Sequence, residues 1–156
     1  MSIINVVGAK IWGGGEQYVF DICKQLQQRH RTAYILVDQS NEDMQSRYAQ
    51  VGHVMTANLY TLKGFLSVNA VAKQLKAQGI DTIVCHSGKY ILFCIALKQL
   101  TGAKLVFIKH NLVPGKTDMY HRWINAQVDA FVCVSKLVYD DLMTPVIKDT
   151  SKYHVV

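Results

Sequence analysis

Short apolar runs of strand length alternate with amphipathic segments of helix length along the whole of this 156-residue chain. The runs that we expect to form strands are 3–7, 33–37, 53–56, 82–85, 104–108, 130–134 and 153–156. Most of them are apolar at consecutive positions, which indicates strands buried on both faces of a parallel sheet. Because crossovers between parallel strands are right-handed, the pattern predicts a doubly wound, Rossmann-like α/β fold with helices on both faces.

Amphipathic segments between these runs predict the helices. In the first, Val19, Ile22, Cys23 and Leu26 recur at the spacing of one helix face. The expected helices are 16–29, a short piece of 38–48, 64–78, 89–100, 117–126 and 136–142, the last with Ser135 as its N-cap. Gly102 stands where the fourth helix should end.

Length and composition are those of one globular domain. The chain is 50% hydrophobic and 18% charged, which suits a buried core and excludes a disordered protein. We therefore expect a single domain over residues 1–156. Its longest apolar run, 90–97, is too short to span a bilayer. None of the four cysteines forms a CxxC motif, which favours reduced, buried thiols in a cytoplasmic protein.

The net charge of +6 favours acidic partners such as phosphates, nucleotides or an anionic membrane surface. The lysines are scattered and do not form a basic stripe between aromatic residues, so we expect no nucleic-acid binding. Lys63, Lys73 and Lys76, with Phe65, could meet an anionic bilayer or a lipid-linked acceptor. A packed helix with a solvated basic face explains the same residues, so peripheral membrane contact stays open.

A glycine-rich segment connects the first strand to the first helix. Gly13, Gly14 and Gly15 precede a helical pattern that starts at Glu16. The first amides of a helix have no partner within the helix, and the helix dipole adds partial positive charge there. The segment therefore predicts a site for a phosphate-bearing ligand, although a tight strand-to-helix connection would also use glycines.

Several familiar sites fail on spacing. Gly8 is followed by four other residues before the next glycine, which excludes a dinucleotide fingerprint. Gly8 and Gly13 have the glycine spacing of a Walker A loop, but Gly14 and Gly15 stand where that loop needs lysine and serine or threonine. Asp38 nevertheless stands where a ribose-binding acid would, which keeps a standalone nucleotide- or dinucleotide-binding module as the alternative. A protein-interaction domain with a vestigial pocket is a third possibility. His86, His110 and His121 lack the ligand spacing of a zinc site.

Polar residues collect just after the predicted strands. Ligands of such sheets bind beyond the carboxyl ends of the strands, and we expect the first, fourth and fifth strands to be neighbours. The residues predicted to surround this crevice are His86, Ser87, Lys109, His110, Asn111 and Ser135. Each has a structural alternative: the histidines could be buried core residues, and Ser135 could serve only as a helix cap. Lys109 and His110 are consecutive, so one of them should face away from the crevice.

Four segments resemble family-4 retaining glycosyltransferases. Gly13-Gly14-Gly15-Glu16 is similar to the family's G-G-x-E opening, and residues 81–87, DTIVCHS, are similar to its D-hydrophobic-hydrophobic-H-x-H-S segment, with Val84 in place of the first histidine. Residues 104–111, KLVFIKHN, resemble its strand ending in T-x-H-[DN], and residues 128–135, VDAFVCVS, its A-D segment ending in serine. The segments occur in the family's order and cover essentially the whole chain.

The resemblance implies the N-terminal, acceptor-side half of a two-domain GT-B enzyme that transfers a sugar from a nucleotide-sugar donor with retention and without a metal. It implies that Gly13, Gly14 and Gly15 approach the donor diphosphate and that His110, the candidate catalytic residue, lies near the transferred sugar. Glu16 and His86 would belong to the cleft or its acceptor side. The acceptor could be a glycan, a glycolipid or another cell-envelope precursor. We expect a fragment that lacks the donor-binding half, is inactive alone and binds donor weakly.

Overall fold

In the described part of the chain, seven parallel strands form a central sheet. They are β1 (Ile3–Val7), β2 (Tyr34–Asp38), β3 (His53–Ala57), β4 (Thr82–Cys85), β5 (Lys104–Lys109), β6 (Ala130–Cys133) and β7 (Tyr153–Val155). The helices are α1 (Gly14–Gln28), α2 (Glu42–Tyr48), α3 (Leu62–Ala77), α4 (Ile91–Thr101), α5 (Met119–Gln127) and α6 (Lys136–Leu142). The computed structural model describes residues 2–60, 62–143 and 150–156, with backbone alone at 62–65.

The strand order is β3-β2-β1-β4-β5-β6-β7, and every adjacent pair is parallel. This confirms the predicted α/β class and the expected neighbourhood of β1, β4 and β5. The chain builds outward from β1 to β3 on one side and from β4 to β7 on the other. The direction in which successive strands are added to the sheet therefore reverses between β1 and β4. A doubly wound fold opens a crevice for ligands at this point.

Apolar side chains cover both faces of the sheet, as the consecutive apolar positions require. On one face, α3 and α4 pack over Ile83 and Leu105, both fully buried. On the other face, Val19 and Cys23 of α1 and Tyr48 of α2 form a second buried cluster. All four cysteines are buried and free, as predicted.

The start of α1 differs from the prediction. The helix begins at Gly14, two residues before the expected start at Glu16, and Gly13 is its N-cap. Glycine is a poor helix former, which is why the sequence pattern placed the boundary later. Glu16 offsets this weakness because its Oε2 accepts a hydrogen bond of 3.1 Å from the Gly13 N–H. Gly14 and Gly15 thus belong to the first helical turn and not to a loop.

Other boundaries moved by one or two residues. Residues Gly88–Tyr90 form a 3₁₀ turn before α4. The helix α5 starts at Met119 because Asp118 caps it, accepting from the His121 N–H at 3.1 Å. Two predicted helix ends are confirmed. The Ser135 hydroxyl accepts from the Val138 N–H at 3.2 Å at the start of α6, and Gly102 ends α4 with a φ of 76°.

Within the described part of the chain, no helix combines the length and the apolar character needed to cross a bilayer. The side chains of Lys63 and Phe65, part of the proposed membrane contact, lie outside the described residues. Lys73 and Lys76 are exposed on α3.

Candidate functional site

Two histidines meet beyond the carboxyl ends of the central strands. His86 follows β4 and His110 follows β5, which are neighbours in the sheet. Nδ1 of His86 lies 2.9 Å from Nε2 of His110, and the two rings stack at 24° with their centroids 5.2 Å apart. On its other side, Nε2 of His86 lies 3.0 Å from Oδ1 of Asn5, a buried residue of β1. The strand order therefore joins three polar residues from β1, β4 and β5 into one chain of hydrogen bonds.

Both rings are held neutral at neutral pH. Burial, and then the neighbouring His110, lower the pKa of His86 from 6.5 to about 3. Burial also lowers the pKa of His110, although Glu16 acts in the opposite direction. A neutral imidazole has one donor and one acceptor nitrogen. Since the Asn5 oxygen only accepts, His86 donates from Nε2 and accepts at Nδ1 from the Nε2–H of His110. The lone pair of His110 then lies on Nδ1.

The first turn of α1 brings free backbone amides to the same place. Glu16 occupies the Gly13 N–H, and the N–H groups of Gly14 and Gly15 have no acceptor among the described residues. A Cβ added at Gly14 would meet nothing within 4 Å, and one at Gly15 would lie 3.7 Å from Cγ of His110. The first turn of α1 therefore lies beside the His110 ring, with its unpaired amides at the positive end of the helix.

Neighbouring side chains fix this geometry. The Asn41 amide donates to the carbonyl of Ala9 at 2.9 Å, and the Tyr48 hydroxyl donates to the carbonyl of Glu16 at 3.0 Å. Tyr18 packs its edge against the His110 ring, with centroids 5.4 Å apart. Because these contacts tie the segment to α2 and to the residue that follows β5, the glycine segment is held without needing a ligand. Trp12, which contacts Phe20 and Tyr48, is a packing residue of this support.

A cleft of about 600 Å³ opens from the histidine pair toward α5 and α6. Its lining includes His86, Ser87, Gly88, Lys89, Phe107, Ile108, Lys109, His110, Asn111, Val113, Lys116, Tyr120, His121, Ile124, Phe131 and Tyr153. The predicted residues 86, 87, 109, 110 and 111 are therefore brought together. The expectation that either Lys109 or His110 faces away is wrong. The strand β5 ends at Lys109, so the alternation of a strand does not extend to His110.

Other predicted residues have roles within the fold. The Ser135 hydroxyl caps α6, and Ser135 is not among the residues that line the cleft. The carboxylate of Asp38 accepts from the Leu59 N–H at 2.9 Å and from the Ser40 N–H at 3.0 Å. Both of its oxygens are thereby engaged, which disfavours its use on a ribose. His121 pairs with Asp118 at 2.6 Å, and no cluster of three metal-ligating side chains occurs in the described ranges.

Sequence reasoning missed Asn5, Lys89 and Lys116. Asn5 interrupts the apolar run of β1, and a polar residue in a strand predicted to be buried on both faces should find a buried partner. That signal was available, but the partner, His86, is 81 residues away. Lys89 and Lys116 carry no motif, and only the fold brings them to the cleft.

Comparisons with known proteins identify the family and the fold of the chain. The sequence profile of Glycosyltransferase Family 4 matches residues 12–156. A solved glycosyltransferase from Rickettsia africae has a TM-score of 0.83 and 19% identity, covering 99% of this chain and 42% of its own. Anabaena HepE in complex with UDP and glucose has a TM-score of 0.71 and 16% identity, with 100% and 44% covered. The lipopolysaccharide outer core galactosyltransferase WaaB has a TM-score of 0.68 and 14% identity, and the match covers 98% of this chain and 44% of WaaB.

No curated protein sequence matches the chain. The solved structures are below 20% identical to it in every case cited, so their likeness shows the fold, that of one half of a GT-B enzyme. The chain spans less than half the length of each of these structures.

Proposed function

Because the chain belongs to Glycosyltransferase Family 4, we propose that it is the N-terminal, acceptor-side domain of an enzyme that moves a sugar from a nucleotide-sugar to an acceptor with retention. The observation that carries the proposal is the position of the His86–His110 pair beside the free amides of Gly14 and Gly15. A neutral polar pair next to a helix end that can accept an anion supports this proposal.

The donor diphosphate is proposed to accept hydrogen bonds from the Gly14 and Gly15 amides. These groups need no rearrangement to do so, because Glu16 and Tyr48 already fix the first turn. Fixed amide dipoles stabilise the charge that develops on a leaving diphosphate more than mobile water can. HepE, which has the same fold, has been solved with UDP-glucose, which supports a nucleotide-sugar as the donor class.

His110 is proposed to contact the transferred sugar. Its Nε2–H is committed to His86, so its Nδ1 can accept a hydrogen bond from a sugar hydroxyl. A neutral ring is suited to this task because a protonated one would have no acceptor. His86 and Asn5 would act through His110 as positioning residues.

A second, donor-binding domain is part of the proposal, since the similar structures are more than twice as long as this chain. The 156-residue chain is then expected to bind donor weakly and to transfer no sugar. Following the resemblance to the family, we propose transfer without a metal cofactor, so that EDTA leaves the rate unchanged. We propose a cytoplasmic location, which the four free buried thiols favour.

An amide-resolved NMR titration of the chain with UDP-glucose, GDP-mannose and NAD⁺ tests the proposal. We expect a nucleotide-sugar to shift the signals of Gly14, Gly15 and His110 with an affinity weaker than micromolar. Gly14→Ala should reduce the effect, and Gln25→Ala on the exposed face of the same helix should not. Shifts with NAD⁺ alone would overturn the proposal in favour of a dinucleotide module. Micromolar donor binding would overturn the need for a second domain.

A further inference from the structure

The lining of the cleft beyond β5 combines lysine side chains with apolar ones. The cations on its lining are Lys89, Lys109 and Lys116. The lining residues that the structure describes include no aspartate or glutamate, and the nearby Asp118 is already paired with His121. An uncompensated positive field of this kind attracts and orients anions.

Among these three lysines, Lys109 is the least exposed to water, so its ammonium group is the least hydrated. It is half-buried, and its Nζ lies 5.0 Å from the centre of the Phe107 ring. No carboxylate lies within ion-pair distance of it among the described residues. Burial lowers the pKa of Lys109, the thiols of Cys133 and Cys85 oppose this, and the charge of Lys116 lowers it further. Partial loss of hydration and repulsion from a second cation both raise the free energy of the Lys109 ammonium. A bound anion would reduce both costs.

The apolar part of the lining includes Phe107, Ile108, Ile124 and Phe131, which are nearly fully buried and present only small apolar surfaces. Val113, which is 45% exposed, extends this surface outward. The cleft volume of about 600 Å³ lies within the range of small-ligand sites, roughly 300 to 1,000 Å³. The cleft also reaches His86 and His110, so a group bound there can lie next to the sugar-transfer site.

From these features we propose that the acceptor carries a phosphate group, that this group binds Lys109 with Lys116 beside it, and that an apolar part of the acceptor lies against Ile108 and Val113. That the bound molecule is the acceptor of a sugar rests on the proposed function. The anion site itself does not depend on that function. A soluble sugar phosphate and a lipid-linked phosphate share this chemistry.

An amide-resolved NMR titration of the chain without donor tests the anion site, using glucose 6-phosphate and dihexanoyl phosphatidic acid as probes. Glucose and dihexanoylglycerol are their uncharged counterparts. We expect one or both anionic probes to shift the signals of Lys109, Lys116 and His121, and the uncharged ones to leave them unchanged. Preference for the sugar phosphate indicates a soluble acceptor, and preference for the lipid indicates a lipid-linked one.

Variants separate a site from general charge attraction. Lys109→Gln should weaken binding about tenfold, the size expected for loss of one charge-assisted hydrogen bond, and Lys109→Arg should largely keep it. Lys24→Gln, which removes an exposed charge of α1 outside the cleft, should have no effect. Equal binding of charged and uncharged probes, equal loss in Lys24→Gln, or no binding by either anion would overturn the proposal. Sugar transfer to an uncharged acceptor would also overturn it while leaving the proposed function intact.

Discussion

Nδ1 of His86 accepts its hydrogen bond from Nε2 of His110 across 2.9 Å, and this direction is set from the opposite side of the His86 ring. The Asn5 carbonyl oxygen, 3.0 Å from Nε2 of His86, can only accept. Asn5, a buried residue of β1, thereby decides which nitrogen of His110 remains available, and it does so through His86. The consequence is that the chemistry of His110 depends on three strands of the sheet keeping their register.

Asn5→Asp should raise the pKa of His86 well above its value of about 3. The variant keeps the shape of the side chain and places a carboxylate beside Nε2, which favours the protonated ring. A protonated His86 cannot accept from His110, so His110 should change tautomer or turn. Long-range ¹H–¹⁵N NMR spectra recorded against pH measure both effects. Asn69→Asp, on the exposed face of α3, is the matched control, and an unchanged His86 pKa in Asn5→Asp would contradict the assignment.

Acid should destabilise the chain between about pH 6.5 and about pH 3 because of His86. In this range an unfolded chain binds a proton on this ring and the folded chain does not, so the free energy of unfolding falls as the pH falls. Above the ordinary pKa of 6.5 the ring is neutral in both states, so His86 no longer makes the free energy of unfolding depend on pH. One proton corresponds to a slope of at most about 1.4 kcal/mol per pH unit.

Urea denaturation at a series of pH values, on the natural sequence and on His86→Gln, isolates this contribution from the other histidines. His86→Gln is expected to be less stable at pH 7, and its stability should decline less steeply on acidification. Parallel pH profiles for the two proteins would rule out a depressed pKa at His86.

The centre of the sheet was predictable from the sequence because β1, β2 and β4 are buried on both faces. For that reason β1 and β4 have the predicted bounds, and the neighbourhood of His86 and His110 followed from the strand order. Helix ends were less predictable because caps decide them. The helix α1 starts earlier than its composition suggests, since Glu16 stabilises two glycines that intrinsic propensity disfavours.

Pairings between distant residues could not be predicted. The sequence shows that Asn5 is out of place in an apolar strand, but not that His86 is the residue it meets. It also shows a lysine at the end of β5, but the alternation of a strand wrongly placed Lys109 and His110 on opposite sides of the crevice. Whether such a lysine has a carboxylate partner depends on loops and helices that come later in the chain.

Gly8 and Gly14 should respond to alanine in opposite ways. A Cβ at Gly8 would lie 2.8 Å from the Tyr60 hydroxyl and 2.9 Å from Cε1 of the buried Tyr90, so Gly8→Ala should destabilise the fold by about 1–3 kcal/mol. A Cβ at Gly14 meets nothing within 4 Å, and Gly14→Ala should stabilise α1 by up to about 1 kcal/mol. Thermal unfolding of both variants measures the difference. Destabilisation by Gly14→Ala would show that the space beside its amide is already used by the fold.

His110→Ala should lower kcat/KM for sugar transfer by about 100-fold in the protein that carries both proposed domains, a size typical of losing one fixed polar contact to a transition state. The loss should fall mainly on kcat, because the proposed contact is to the transferred sugar and not to the nucleotide. His154→Ala, which removes an exposed imidazole on β7, is the control and should leave the rate unchanged. If His110→Ala raises KM alone, the residue binds substrate without stabilising the transition state. If it changes neither constant, His110 is a structural partner of His86.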